Sequence, residues 1–413
     1  MFQPQVMTIA EPPPKAVAQA TPALSVVIPV HNDKAHLERC LDALSKSRYE
    51  AYEVIVMDDA STDDTADAAE EAGARLFRLD QNMGPAAARN LGAQEARGDL
   101  LLFIDADVCV APETICGVIE SFDNNPGIDA VFGSYDHEPE HRGLFSQYRN
   151  LMHHFVHQSS DPDASTFWSG CGAIRKSVFL EHGGFDPNYA RPCIEDIELG
   201  IRLAKAGHRI MLNGKIQATH LKHWTLWKMI KTDIFDRGVP WTRLMLAHGS
   251  MPNDLNLRIS QRISALLALC FLTVQVVAAF YQPFTLLFPV LGFLGVLAAD
   301  SWRVRTYTHK PAKRTFEFLL LAGIVMLSYL CGWWSGLIAA PLIAIILLNL
   351  RFYRFLVEQR SLTFAIFIMP LHVLYYLYSV LAYGIGVISY VRDQIRGQGK
   401  PIASPTQTTS SIG

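Results

Sequence analysis

The sequence lacks paired cysteines. Its 413 residues include 7 cysteines, an odd number, and no two of them form a C-x-x-C pair. Neither a disulfide framework nor a zinc site is therefore indicated, and a reducing compartment suits the composition best. The stretch from Met1 to Thr21 also lacks a basic region followed by an apolar one. We therefore expect a flexible, Pro/Ala-rich tail there rather than a signal peptide.

The first part of the chain lacks an excess of positive charge. Up to Ser250 it has 23 Lys and Arg against 34 Asp and Glu, whereas the rest has 13 against 5. An acidic first part argues against nucleic acid as a partner. Half of all residues are hydrophobic, which argues against disorder outside the two ends.

The second part lacks charge over long stretches. Its apolar runs are Ser264–Tyr281, Phe284–Ala299, Thr315–Leu350 and Ser361–Val391. Such runs predict membrane helices, and we expect four or five spans, with a hairpin near Cys331–Gly336 and a kinked or divided helix in the last run. The basic loop Ser301–Arg314 favours the cytoplasmic side of the inner membrane for itself and for the first domain.

Short β-rich runs alternate with amphipathic stretches from Leu24 onward. The strand-like runs are LSVVIPV, YEVIVM, ARLFRL and DLLLFID. This alternation predicts an α/β domain with a Rossmann-like, mostly parallel sheet and helices on both faces, followed by a helical membrane domain. Ligands bind such sheets at the carboxyl ends of the strands.

The composition divides the chain into five segments. They are a tail at 1–22, the α/β domain at 23–222, an amphipathic interfacial segment at 223–260, a membrane domain at 261–392 and a tail at 393–413. The interfacial segment interleaves tryptophans with Lys and Arg, a pattern typical of helices at a membrane surface. Gly238 and Pro240 are expected to break it.

Two of the predicted strands end in paired acids. Asp58 and Asp59 follow the second strand, and Asp105 and Asp107 follow the fourth. The period of two puts Asp105 and Asp107 on one side of the chain, where two carboxylates can hold a divalent cation that also binds phosphate oxygens. By themselves, both pairs are equally typical of turns and helix caps.

Seven motifs together resemble the family 2 glycosyltransferases with a GT-A fold. In chain order they are VVIPVHN, VIVMDDASTDDT, NMGPAAARNLG, FIDAD, SGCGAIRK, GGFD and EDIELGIRL. The resemblance covers about Leu24 to His220, roughly half of the chain. It implies a glycosyltransferase that uses a nucleotide-sugar donor, most often a uridine one, and a divalent cation such as Mg²⁺ or Mn²⁺.

The resemblance also implies the donor pocket. Asp59 resembles the acid that binds the nucleobase, with Pro29 and His31 lining the same pocket. Asp58, the neighbouring acid, is assigned to this pocket as well. Arg89 and Arg237 are candidates for neutralising the diphosphate.

The metal site follows from the same resemblance. Asp105 and Asp107 look like the D-x-D pair, with Asp107 as the direct metal ligand and Asp105 at the ribose or the metal. His220 resembles a position that completes the metal shell in some relatives, although a lone histidine is more often structural.

The motif Glu195-Asp196 looks like the family's E-D pair, with Asp196 as the general base. Its predicted place in the first turn of a helix lets the macrodipole favour the ionised carboxylate. One base without a second nucleophile implies inversion at the anomeric carbon. Acids in a first turn are also common for purely structural reasons.

Processive relatives carry Q-x-x-R-W, and this chain has only Asp236-Arg237-Gly238-Val239-Pro240-Trp241 in that region. This difference argues against processive synthesis. The predicted membrane helices and the Trp-rich segment before them favour transfer to a lipid or membrane-associated acceptor. The alternative is a membrane transport or scaffold protein whose α/β domain only binds nucleotide. A nucleotidyltransferase would need a Gly-rich basic loop near the first strand. This chain has VVIPVHND there, which lacks such a loop.

Overall fold

The computed structural model describes residues 22–249, 258–291, 294–296 and 332–397. Several expectations lie outside these residues. They are the N-terminal tail, the basic loop Ser301–Arg314, the first arm of the predicted hairpin and most of the C-terminal tail.

The described residues form one mixed sheet. Its strands are β1 (Leu24–Val30), β2 (Tyr52–Asp58), β3 (Arg75–Arg78), β4 (Leu100–Ile104), β5 (Val108–Val110), β6 (Ala130–Tyr135), β7 (Asp163–Ala164), β8 (Cys171–Arg175) and β9 (Ile210–His220). Their spatial order is β3-β2-β1-β4-β8-β6-β9-β5, with β7 beside β9. The four predicted strands, β1 to β4, pair in parallel as expected. Later strands add antiparallel pairings, of which β4 with β8 and β5 with β9 shape the site.

Helices cover both faces of the sheet, as predicted. In chain order they are α1 (Lys34–Ser45), α2 (Thr65–Glu71), α3 (Pro85–Glu95), α4 (Thr114–Asn124), α5 (Leu144–Ser159), α6 (Lys176–Glu181) and α7 (Glu195–Lys205). Apolar residues of α1 and α4 form the core on one face, and those of α3, α6 and α7 form the core on the other. Helix α5 carries much of the His-rich region that the sequence left without an assigned element.

Residues 226–248 of the interfacial segment form a continuous helix, so the predicted break is wrong. Helix α8 (Leu226–Lys231) passes into a π-helical stretch, Thr232–Gly238, and then into α9 (Val239–His248). The N–H of Val239 donates to the carbonyl of Ile234, a five-residue bond that widens the helix just before Pro240. Pro240 then lies in the first turn of α9, where a missing N–H is tolerated.

The C-terminal part adds further helices. They are α10 (Ile259–Tyr281), a 3₁₀ turn (Pro283–Leu286), α11 (Trp333–Leu348), α12 (Leu350–Gln359) and α13 (Leu362–Ile395). By length and composition α10 and α13 could each cross a membrane, and α11 with α12, bent by 73° at their junction, could form a third span. The expected four or five spans stay a prediction, because part of this region is not described.

Helix α13 is a single helix through Pro370, so it is not divided, and it extends past residue 392 to Ile395. Its 34 residues give it a length of about 51 Å, well beyond the hydrocarbon thickness of a bilayer. The N-terminal end of α13 packs against α5 of the α/β domain. Further along, α13 approaches the π-helical stretch and α9 so closely that a Cβ at Gly238 would collide with Ala382.

Candidate active site

A cavity of about 760 Å³ lies where the strand ends meet the C-terminal helices. Its wall includes every predicted site residue except Asp58: Pro29, His31, Asp59, Arg89, Asp105, Asp107, Glu195, Asp196, His220 and Arg237. Tyr375, Ser379 and Tyr383 of α13 also line it. The α/β domain and the long C-terminal helix therefore share one concave site.

Asp58 does not reach the cavity, so its assignment to the donor pocket is corrected. Its side chain is completely buried, where Oδ2 pairs with Arg78 Nε at 3.0 Å. Oδ1 accepts a hydrogen bond from the Ser61 N–H at 2.9 Å. Successive residues of a strand point to opposite sides, so Asp58 holds the turn while Asp59 faces the ligand side.

Asp59 holds the loop that leads into α3. Its two carboxylate oxygens accept hydrogen bonds from the N–H groups of Met83 at 2.7 Å and Gly84 at 2.8 Å. His31 Nδ1 lies 2.7 Å from the Asp59 carbonyl. Gly84 has a φ of +87°, and a Cβ there would strike the carbonyl of Ala190, so only glycine suits this position. These contacts fix the rim of the predicted nucleobase pocket.

Arg89 connects the two acidic motifs and is not free to meet a diphosphate. Its guanidinium pairs with Asp105 at 2.5 Å and with Glu195 at 2.9 Å. Only 4% of the residue is exposed. Burial would lower the pKa of Arg89, but the charges of Asp105 and Glu195 raise it. The expected diphosphate role of Arg89 is therefore corrected. Its charge is paired with Asp105 and Glu195, and it positions the D-x-D and E-D motifs.

Asn90, next in the same motif, connects it to the G-G-F-D turn. Its Nδ2 donates to the carbonyl of Phe185 at 2.7 Å, and its Oδ1 accepts from the Phe185 N–H at 2.9 Å. The turn needs Gly184 at a φ of +68°. This motif therefore joins α3 to the loop before α7 instead of forming an open anion site.

The D-x-D pair is completed by a neighbouring strand. Val108 of β5 is paired with His220 of β9, which brings His220 Nε2 to 3.6 Å from Asp107 Oδ2. Lys222 Nζ lies 3.9 Å from the same oxygen. Burial would raise the pKa of Asp107, yet His220 and then Lys222 lower it to about 2. Asp107 is therefore a carboxylate at any physiological pH.

These side chains suit a cation that takes few ligands from the protein. Within the described residues, no group of three or more His, Cys, Asp or Glu is close enough to form a complete protein cage. Mg²⁺ and Mn²⁺ at nucleotide sites need only one or two carboxylates, because water and phosphate oxygens fill the other positions. Asp107, with His220 beside it and Asp105 held by Arg89, offers that kind of partial shell.

Asp196 occupies the first turn of α7, as predicted. Its Oδ2 accepts from the Ser169 N–H at 3.0 Å, and its Oδ1 accepts from the Ile197 N–H at 2.8 Å. Burial, reinforced by the negative charge of Glu195, raises its pKa to about 6. Burial therefore outweighs any lowering of this pKa by the helix macrodipole. Asp196 is still ionised at pH 7, and its pKa is well suited to a general base.

Helix α5 contributes cavity residues that the sequence analysis missed. Arg149, His153 and His157 all line the cavity from this helix. Their spacing, i, i+4 and i+8, is that of one helical face and was the available signal. Arg149 pairs with Asp233 of the π-helical stretch at 2.7 Å, and Asp233 also accepts from the Tyr378 hydroxyl of α13 at 2.7 Å. This three-membered network joins α5, the π-helical stretch and α13.

Arg237 also reaches the cavity, on the side of α5 and α13. Its side chain is accessible to solvent, and among the described residues it has no hydrogen-bond or ion-pair partner. The surrounding protein nevertheless desolvates it, and this burial, followed by the charge of Arg149, lowers its pKa. Arg237 thus brings an uncompensated positive charge to the site.

Sequence comparison agrees with the motifs. Residues 25–183 match the family described as Glycosyl transferase family 2. The chain carries a family 2 glycosyltransferase domain. An uncharacterized glycosyltransferase of Haemophilus influenzae is 29% identical over 191 residues, which are 44% of this chain and 61% of that protein.

Two further relatives complete the comparison. A validoxylamine A glucosyltransferase of Streptomyces hygroscopicus subsp. limoneus is 31% identical over 244 residues, or 50% of this chain and 53% of that protein. The chain thus covers less than two thirds of each of these curated relatives. A mannosyltransferase of Pyrobaculum calidifontis, solved with GDP-Man and Mn²⁺, has 17% identity and a TM-score of 0.43, over 92% of this chain and 91% of that one.

Proposed function

We propose that this chain is an inverting glycosyltransferase that moves a sugar from a nucleotide-sugar donor to a membrane-associated acceptor. The observation that carries the proposal is that the D-x-D pair and the half-buried Asp196 face one cavity. Arg89 fixes the spacing between them, since it pairs with both Asp105 and Glu195. A metal-binding carboxylate and a base held in fixed relation are what glycosyl transfer requires.

The donor would lie along the carboxyl ends of β1, β2 and β4. Pro29, His31 and Asp59 would border the nucleobase, and a uridine donor is the first choice. Asp105, Asp107 and His220 would hold Mg²⁺ or Mn²⁺ against the diphosphate. When bound, the cation supplies positive charge that stabilises the departing nucleoside diphosphate.

Asp196 would perform the proton transfer. Its carboxylate accepts the proton of an acceptor hydroxyl while that oxygen bonds to the anomeric carbon and the bond from this carbon to the donor phosphate breaks. The electron pair of the broken bond leaves with the nucleoside diphosphate. A single displacement with one base inverts the anomeric configuration. Glu195 contributes through Arg89 and through its charge on Asp196.

The acceptor would enter from the membrane side. Tyr375, Ser379 and Tyr383 belong to α13, a candidate span, and they line the same cavity as Asp196. The α/β domain would lie in the cytoplasm, where nucleotide sugars are made. An impermeant maleimide should label a cysteine introduced at the exposed Ser45 only after cells are permeabilised. Stronger labelling of intact cells than in the parent would overturn this orientation.

The enzyme proposal is tested at Asp196. The variant Asp196→Asn keeps the size of the side chain and loses the proton acceptor, so turnover should fall by roughly 10²-fold or more. Binding of UDP with Mn²⁺, measured on the same folded preparation, should change little. The alternative, a scaffold that only binds nucleotide, predicts no turnover in the parent either.

Asp186→Asn is the matched control. Asp186 is an acid of the G-G-F-D turn outside the cavity, and its Oδ1 accepts from the Asn188 N–H at 2.9 Å. This variant should keep parental turnover per folded molecule. Equal turnover in Asp196→Asn and the parent would eliminate Asp196 as the base.

A further inference from the structure

Three donor groups that line the cavity have no acceptor among the described residues. The indole Nε1 atoms of Trp224 and Trp241 are buried without a hydrogen-bond partner, and Arg237 has none among the described residues. Indole and guanidinium groups can only donate hydrogen bonds. Buried donors without partners are rare in folded proteins, and a bound ligand is one explanation for them.

The nearby carboxylates do not satisfy these donors. Asp233 is occupied by Arg149, at 2.7 and 3.1 Å, and by the Tyr378 hydroxyl. Asp236 lines the cavity but forms no ion pair with Arg237 among the described residues. Hydrogen-bond donors without partners, together with an unpaired cation, are complementary to a ligand whose groups only accept hydrogen bonds. Phosphate and carboxylate are the anions of this type.

Arg237 and the base Asp196 line the same cavity, and their charges interact. Arg149, whose charge also acts on Arg237, lies over the Trp224 ring at 5.6 Å. The base must touch the acceptor hydroxyl. A cation whose charge acts on the base is therefore suited to a group of the acceptor.

Apolar and aromatic surface continues from these donors toward the membrane helices. Tyr375 and Tyr383 of α13 and Met245 of α9 line the cavity. Exposed apolar side chains, among them Leu381 and Ile388, continue along α13 beyond it. An anion bound at Arg237 would thus have an apolar path leading away from it.

We propose that Trp224, Arg237 and Trp241 bind the anionic group, a phosphate or carboxylate, of an amphiphilic acceptor. The apolar part of that acceptor lies along Tyr375 and Tyr383. The role of the bound molecule as acceptor rests on the proposed function, but the binding site itself does not.

The test measures binding of dodecyl phosphate to the full chain in dodecyl maltoside, without donor. The parent should bind it saturably, and at least tenfold more tightly than inorganic phosphate. Arg237→Gln should weaken this binding at least tenfold, and Trp241→Phe, which keeps the ring and loses the N–H, at least threefold. Equal affinities for dodecyl phosphate and inorganic phosphate would show that no amphiphile is recognised and would overturn the proposal.

Lys228→Gln is the matched control, because Lys228 is an exposed cation of the adjoining α8 outside the cavity. It should leave dodecyl phosphate binding unchanged, and a loss equal to that of Arg237→Gln would mean non-specific attraction.

UDP binding with Mn²⁺ should survive in Arg237→Gln, and its selective loss would assign Arg237 to the donor. Arg237→Gln should not lower the melting temperature, because the substitution removes a partly desolvated charge that has no partner among the described residues. Because no sugar transfer is measured, failure here leaves the Asp196 test untouched.

Discussion

The two ends of the cavity differ in how their charged groups are paired. At the end of the D-x-D and E-D motifs, Arg89 pairs with both Asp105 and Glu195, although its Nε atom has no hydrogen-bond partner among the described residues, and Asp107 faces His220 and Lys222. At the end formed by the interfacial segment and α13, Arg237 has no partner among the described residues, and two tryptophan N–H groups are left without acceptors. The contrast suggests that the first end is organised before any ligand binds, whereas the second is completed by one.

The largest effect is expected from breaking the two ion pairs of Arg89. Arg89→Leu leaves Asp105 and Glu195 as uncompensated carboxylates, one of them fully buried, which should cost about 3–5 kcal/mol of unfolding free energy. Urea unfolding of the α/β domain, followed by tryptophan fluorescence, measures this. Arg97→Leu, at an exposed arginine outside the cavity, should change stability by no more than about 0.5 kcal/mol. Equal stabilities for the two variants would contradict a stabilising role for these ion pairs.

Removing Asp107 should have the next largest effect. Asp107→Ala should weaken Mn²⁺-dependent binding of UDP by roughly 10²-fold while the fold persists, because a side chain at a strand end contributes little packing. Titration calorimetry with and without Mn²⁺ separates the metal-dependent part. If Asp107→Ala bound UDP with Mn²⁺ as the parent does, the metal would have to be held elsewhere.

The pH dependence tests the coupling between Glu195 and Asp196. A base acts when deprotonated, so kcat/KM should fall about tenfold per pH unit below a pKa of about 6. The negative charge of Glu195 contributes to raising that pKa, so Glu195→Gln should move the acid limb to lower pH. Glu181→Gln, at an exposed acid outside the cavity, should leave it in place. A limb that moved upward in Glu195→Gln would reverse the assigned electrostatics.

Sequence patterns predicted the end of the D-x-D and E-D motifs well and the other end of the cavity poorly. Strand ends brought Asp59 and Asp107 to one site, because parallel strands end at a common edge. Asp196, in the first turn of α7, was assigned through the family resemblance. The partners of individual side chains were not predictable. Asp58 and Asp59 are adjacent in the chain, yet only Asp59 lines the cavity. Arg89 looked like an anion ligand because its partner Glu195 is distant in the chain. The face of α5 was missed because histidine gives no clear hydrophobic pattern.

The smallest effect is expected at Tyr378. Tyr378→Phe removes the hydroxyl that donates to Asp233 at 2.7 Å and should cost about 1–2 kcal/mol, since hydrogen bonds to charged groups exceed neutral ones. Thermal unfolding in detergent measures it. Tyr390→Phe, on the same helix and without a hydrogen-bond partner among the described residues, should lower stability less. A reversed order would mean that Asp233 relies on Arg149 alone.

The apolar contact between α5 and the C-terminal helices also determines how the chain can be cut. Leu144, Tyr148 and Leu151 of α5 are buried against Phe352, Leu356, Phe364 and Ile368, which all come after residue 350. A chain truncated at residue 222 would expose this side of α5 to water. Such a fragment should be poorly soluble and prone to self-association, although its sheet is complete. The α/β domain is thus continuous in sequence, but it needs the C-terminal helices to stay soluble.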